Sequence, residues 1–257
     1  MTVLQVRNLS KSFDALMVTQ DINLRFESGM RYAVIGPNGA GKTTLFNLLS
    51  GELKPSAGQI LLGDADLSAW DPAGRARAGI ARSFQRNNLF SDLTVRDNLA
   101  IACAIRSGLT PIFWRPFGSY RSVRERAELY AGKVGLSDEL DSMARHLSYG
   151  SQRQLEVGLA LACEPKVLLL DEPTSGMSPE ETGRMQELIA ALPRSLTMIV
   201  IEHDMDLVLS FADRIIVLDY GRVLAQGTPE EIRASNVVRE RYLGETPFGT
   251  NRVARKA

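Results

Sequence analysis

The feature that most constrains this chain is the run Gly36-Pro-Asn-Gly-Ala-Gly-Lys42-Thr43, which follows a short apolar stretch, Tyr32-Ala-Val-Ile35, and leads into an apolar helix-like segment, Leu45 to Leu49. The spacing matches G-x-x-x-x-G-K-[ST]. Strand, glycine-rich turn and helix in that order open a mononucleotide-binding unit. The glycines let backbone N–H groups turn inward around phosphate oxygens, and the helix adds the positive end of its dipole. Lys42 is spaced to reach β- and γ-phosphates, Thr43 to offer a hydroxyl to Mg²⁺, and Thr44 to bond the α-phosphate. Gly36, Asn38, Gly39, Ala40 and Gly41 form the wall of the loop.

A second motif is Leu168-Leu-Leu-Asp171-Glu172. The continuous apolar run from Val167 to Leu170 suits a strand covered on both faces in a parallel sheet. Asp171 at its carboxyl end would hold the Mg²⁺ shell, and Glu172 would orient or deprotonate an attacking water. Alone, two acids after a strand read equally well as a surface cap. Beside a phosphate loop they read as the other half of a nucleotide site.

The remaining pattern is that of an α/β chain. Leu4, Val6 and Leu9, then Ile22, Leu24 and Phe26, alternate with polar residues as half-buried antiparallel strands do. Leu196 to Ile201 is another buried strand, and Ile215–Leu218, Asp219–Arg222 and Val223–Ala225 read as a hairpin. Thr94 and Thr228 are candidate N-caps, the latter with Pro229 and Glu231 completing a capping box. From about 88 to 159 the character changes to helical, with an amphipathic helix expected over Ser122–Val134. The Pro- and aromatic-rich break Thr110–Phe117 is either a surface loop or a partner-contacting element.

With 30 basic and 30 acidic residues, nothing favours a nucleic-acid-binding surface. Cys103 and Cys163 fit no metal spacing and read as small buried hydrophobes. Residues Met1 to Ser10 carry no signal-peptide pattern, and no apolar run nears the ~18 residues that span a bilayer.

Three further features narrow the field. Leu147-Ser-Tyr-Gly150-Ser-Gln-Arg-Gln154 resembles the signature of ABC-type ATPases, usually Leu-Ser-Gly-Gly-Gln, and lies just before the Asp171 strand. Gln85 follows Phe84 where that family has its Q-loop, and His203 follows the next core strand, where it has its switch histidine. The resemblance covers Leu4 to about Gly244. It implies a P-loop NTPase (RecA-like) α/β core, about 1–87 and 160–245, with an N-terminal antiparallel β-subdomain and an inserted α-helical subdomain, about 88–159. Residues 246–257 would form a flexible tail.

The resemblance also implies ATP and Mg²⁺ as ligands and assigns roles. Glu172, His203 and Gln85 would serve hydrolysis; Thr43, Gln85 and Asp171 would serve the metal; Ser148 and Gly150 would contact the γ-phosphate of a second cassette across an ATP sandwich. Phe13 falls where the family stacks a ring on adenine, a core ring being the alternative; His146 keeps a structural reading. Two departures stand out. Tyr149 and Ser151 replace usual signature residues, and Ser175-Gly-Met-Ser178 lacks the aspartate of the family's Ser-Ala-Leu-Asp. With Val237–Gly244 and the insert around Pro111–Arg126, these departures resemble the branched-chain amino acid importer type. That type implies two transmembrane permease subunits, a second ATPase subunit (identical or different), an indirect link to a periplasmic binding protein, and a cytoplasmic place on the inner face of the membrane. Relatives carry urea, amides or aromatic acids. A soluble ATPase of the same type acting outside transport, or a non-hydrolytic scaffold, stays open.

Overall fold

Continuous apolar runs become the central sheet because each of their residues finds a buried face. In the computed structural model, which describes residues 2–83, 89–107 and 120–240, five parallel strands lie side by side with one antiparallel strand at the edge. The strands are β3 (Arg31–Ile35), β6 (Ile80–Ser83), β7 (Val167–Asp171), β8 (Thr197–Ile201), β9 (Arg214–Asp219) and β10 (Arg222–Gly227), in the order β10-β9-β3-β8-β7-β6. Val167, Leu169, Ile199, Ile201, Ile216 and Leu218 face one core; Leu168, Leu170, Met198, Val200, Ile215 and Val217 face the other. Period-two alternation between two buried sides is what a strand without a polar face requires.

The first core is closed by a smaller antiparallel sheet. Here β1 (Thr2–Phe13) lies between β2 (Leu16–Glu27) and β4 (Ala57–Leu62), with the short β5 (Ala65–Asp66) at the edge. Leu4, Val6, Leu9, Ile22, Leu24 and Phe26 point inward from it, and Phe26 meets Tyr32 of the central sheet edge-to-face at 4.9 Å between ring centres. Helix α1 (Lys42–Ser50) sits between the two sheets, burying Leu45, Phe46, Leu48 and Leu49. Its last carbonyls need donors. Arg75 of α2 (Pro72–Ala78) supplies them: its wholly buried guanidinium donates to Leu48 O and, at 3.0 Å, to Leu49 O. Burial lowers this arginine's pKa to about 10.

The second core runs from the sheet into three helices, α3 (Val95–Arg106), α4 (Arg121–Lys133) and α5 (Tyr149–Ala162). Thr94 caps α3 by accepting from Asp97 N at 3.0 Å. α4 begins and ends one residue before the span expected from sequence. On the same side lie α6 (Pro179–Ala191) and α7 (Met205–Phe211), while α8 (Pro229–Ala234) and α9 (Asn236–Val238) are the last helices of the described residues. Thr228 and Glu231 form the expected capping box at α8. Cys103 is fully buried among α3 and α4, but Cys163 is only half-buried, a correction to its reading as a core residue. His146 is exposed on a short turn, where its Nε2 accepts from Arg145 Nε at 3.3 Å. Among the described residues, no helix is long and apolar enough to cross a membrane.

Candidate nucleotide site

Gly36, Asp171, Glu172 and His203 lie at the carboxyl ends of parallel strands, Phe13 on the β1–β2 hairpin, and Ser148 and Gly150 at the start of α5. The phosphate loop leaves β3 at Gly36, whose φ of 150° suits glycine. A side chain there would put its Cβ 2.2 Å from the carbonyl oxygen of Leu218. Gly41, with φ 97°, begins α1. The tip of the β9–β10 hairpin props the loop from behind, with Gly221 N donating to Ala40 O at 3.1 Å. Asn38 and Gly39 are exposed at the mouth.

Lys42 is 7% exposed, and its ammonium donates to Gly36 O at 2.7 Å and Pro37 O at 3.0 Å. Burial lowers its pKa, and the carboxylates of Glu172 and Asp171 oppose that shift. The lysine therefore lies folded across its own loop, facing both acids of the second motif. Thr43 and Thr44 stand at the first turn of α1, Thr43 exposed and Thr44 half-buried.

Asp171 ends β7 and is 1% exposed. Burial pushes its carboxyl up, and the neighbouring Arg82 guanidinium pulls it back part of the way. Arg82, on β6, donates to Asp171 Oδ2 at 2.6 Å and to Asn47 Oδ1 of α1 at 2.6 Å. The other carboxylate oxygen, Oδ1, is buried without a hydrogen-bond partner. An orphaned buried anionic oxygen is a donor that Mg²⁺ accepts, since that ion takes one or two protein oxygens and completes its shell with phosphates and water. Among the described residues no group of three or more His, Cys, Asp or Glu side chains is placed to hold a metal ion.

Glu172 has φ 46°, a left-handed conformation that costs a branched-free but non-glycine residue some strain. The turn aims its carboxylate at His203, with Oε1 and Nε2 2.5 Å apart. His203 follows β8, and parallel pairing of Asp171 with Ile201 is what brings the two strand ends level. Glu202, 4% exposed, ties the two loops together: it accepts from Thr174 Oγ1 at 2.5 Å and from His203 N at 2.9 Å.

Phe13 sits at the tip of the β1–β2 hairpin, 43% exposed, with the Lys11 ammonium 5.0 Å from its ring centre. Such exposure excludes the core-ring alternative. Ser148 caps α5, accepting from Ser151 N at 3.1 Å. The signature departures have a physical counterpart: Tyr149 donates its hydroxyl to Ser175 O at 3.2 Å and packs its ring on Gly176. Ser178, where the family has aspartate, caps α6. Gln85 and the Pro111–Pro116 break lie outside the described residues.

Sequence reasoning missed Arg82, Glu202 and Arg153. Arg153 pairs with Glu156 at 2.8 Å inside α5 and donates to Glu172 O at 3.1 Å. An arginine directly after the apolar pair Ile80-Ala81 was the available signal.

A phosphate loop over a buried strand-end acid, with a second acid held by a histidine, defines an ATP-hydrolysing cassette. The chain belongs to the ABC transporter family, whose model matches residues 19–175. It is 40% identical over 253 residues to the high-affinity branched-chain amino acid transport ATP-binding protein LivG of Escherichia coli K12, covering 95% of this chain and 98% of LivG. It is 33% identical, with the same two coverages, to the lipopolysaccharide export system ATP-binding protein LptB of Haemophilus influenzae. Its fold resembles the ADP conformation of MJ1267, an ATP-binding cassette of an ABC transporter, with TM-score 0.82, 30% identity, and coverage of 95% of this chain and 100% of that one.

Proposed function

We propose that the chain is the ATPase subunit of an importer for branched-chain amino acids or a related small solute, working on the cytoplasmic face through two separate permease subunits. The observation that carries the chemistry is the Glu172–His203 contact at 2.5 Å beside the Lys42 loop. Import rather than export is favoured by 40% identity to LivG against 33% to LptB.

Thr43 and Asp171 would hold Mg²⁺, with Gln85 as the further ligand the family resemblance implies. The bound ion would supply charge neutralisation to the phosphates. Lys42 leaves the loop carbonyls for the β- and γ-oxygens. Glu172 takes a proton from, or orients, the attacking water, and His203 holds that carboxylate and faces the γ-phosphate. Phe13 stacks on adenine.

Ser148 and Gly150 of a second cassette, identical or different, cover the γ-phosphate from the opposite side. Closure of this sandwich moves the helical segment, about 88–159, against the permeases, and a periplasmic binding protein delivers solute to them. An apolar groove between core and helices, lined by Phe90, Ile101, Ala102, Ile105, Leu159 and Cys163, is the surface a permease segment would enter.

The test is the solution mass of Glu172→Gln protein with and without Mg-ATP. Doubling with ATP supports the sandwich and the role of Glu172 together. A monomer that binds no ATP overturns the site reading. A monomer that binds ATP restricts closure to a different partner cassette, which co-purification with the permeases would identify.

A further inference from the structure

Where α5 offers its N-terminus, a carboxylate from the same chain is already bound. Glu181, in the first turn of α6, accepts from Gly150 N at 2.9 Å and from Ser148 Oγ at 3.1 Å, both through Oε1. Its other oxygen, Oε2, accepts from Ser178 N and Ser178 Oγ, each at 3.0 Å. The capping box of α6 explains Oε2 fully. It does not require Oε1 to reach another helix.

The close approach has a cost in sequence freedom. A Cβ on Gly150 would lie 2.7 Å from Glu181 Oε1 and 2.8 Å from its Cδ and Cγ, so the carboxylate can dock only against glycine. The donors also hold the Glu181 carboxyl down at about 2, the Ser178 amide being the largest contributor and the Gly150 amide next. The group is an anion at any physiological pH.

We propose that Glu181 is a positioning residue of the reaction: its carboxylate holds the phosphate-accepting end of α5 in the open chain and is the anion that the opposite subunit's γ-phosphate must displace. This rests on the reading of Ser148 and Gly150 as γ-phosphate donors. One hydroxyl proton and one N–H cannot serve a carboxylate and a phosphate at once, and two anions within hydrogen-bond distance of the same donors repel. Glu181 therefore sets how much ATP is needed for closure, and keeps the donors aligned until ATP arrives.

Displacement also has a route onward. α5 is tied to the segment that carries Glu172 by Tyr149 Oη to Ser175 O and by Arg153 to Glu172 O. Release of Glu181 from α5 frees the start of α6, which ends that same segment. Phosphate arriving at the signature of one subunit is thereby felt at the Glu172 of that subunit, which serves the other ATP.

The first measurement is the amide resonance of Gly150 in the full chain, titrated with inorganic phosphate. In Glu181→Gln the half-point is expected at about tenfold lower phosphate than in the native chain, the effect of removing one charged competitor. Ser178→Ala, which weakens the α6 cap but keeps the carboxylate, is expected to match the native chain. A Gly150 response in Glu181→Gln equal to or weaker than native overturns the proposal, since a mere cap would behave that way. The second measurement repeats the ATP-dependent mass change in Glu172→Gln with and without Glu181→Gln. A lower ATP half-point in the double variant supports the proposal, and an unchanged or higher one overturns it. If neither protein doubles in mass while Gly150 still answers to phosphate as expected, the homodimer sandwich fails and the role of Glu181 stands.

Discussion

Replacing Arg82 by methionine removes the cation from a pair that is almost dry. The arginine side chain is 8% exposed and the Asp171 side chain 0%. Methionine keeps most of the packing against the Phe46 ring, over which the guanidinium carbon lies at 5.8 Å from the centre. What is lost is the 2.6 Å contact to Asp171, the one of equal length to Asn47 and a longer one, 3.3 Å, to Ser50 Oγ. Removing one partner of a buried ion pair costs about 3–5 kcal/mol, because the remaining charge is kept from water and has lost the counter-ion it is hydrogen-bonded to. For a chain of this size, that corresponds to a fall in melting temperature of roughly 6–20 °C. The assay is a thermal melt of Arg82→Met, Asp171→Asn and the double variant, all without nucleotide. Both single variants should melt early, and the double variant should recover to within about 1 kcal/mol of the native chain, since neither charge is then left alone. A single variant melting within about 2 °C of native, or losses that simply add in the double variant, would refute the reasoning.

Gly36→Ala forces a Cβ to 2.2 Å from Leu218 O at a φ of 150°. Loss of ATP binding with a destabilisation of about 1–3 kcal/mol is expected, read by nucleotide fluorescence and a urea melt; native affinity would be the contrary result. Cys103 has its thiol pushed up to about 11 by burial, from an ordinary value of 9.0. The folded form keeps the proton longer than the unfolded form does, so stability should fall as pH rises from 9.0 towards about 11. At pH 8 a thiol reagent should modify the half-buried Cys163 well before Cys103; fast labelling of Cys103 in the native chain would contradict this.

The elements legible in sequence were those with one dominant local cause. Glycines at fixed spacing made the phosphate loop readable, runs such as Val167–Leu170 the buried strands, and Thr94 and Thr228 the helix starts. Cys163 was misread because exposure is decided by what packs over a position, and a cysteine does not carry that information. Arg82 and Glu202 were overlooked for the same reason: each acts through partners 89 and 28 positions away.

The sequence by itself determined the α/β class, the phosphate loop and the identity of the acids that follow β7, because periodicity and backbone freedom are local properties. Only the tertiary structure decided that Arg82 neutralises one oxygen of Asp171 and leaves the other free, that Glu172 meets His203, and that Glu181 reaches across to Gly150. Those contacts follow from strand order and helix packing, which set charged groups from distant segments within 3 Å of each other, and a linear pattern does not encode such distances.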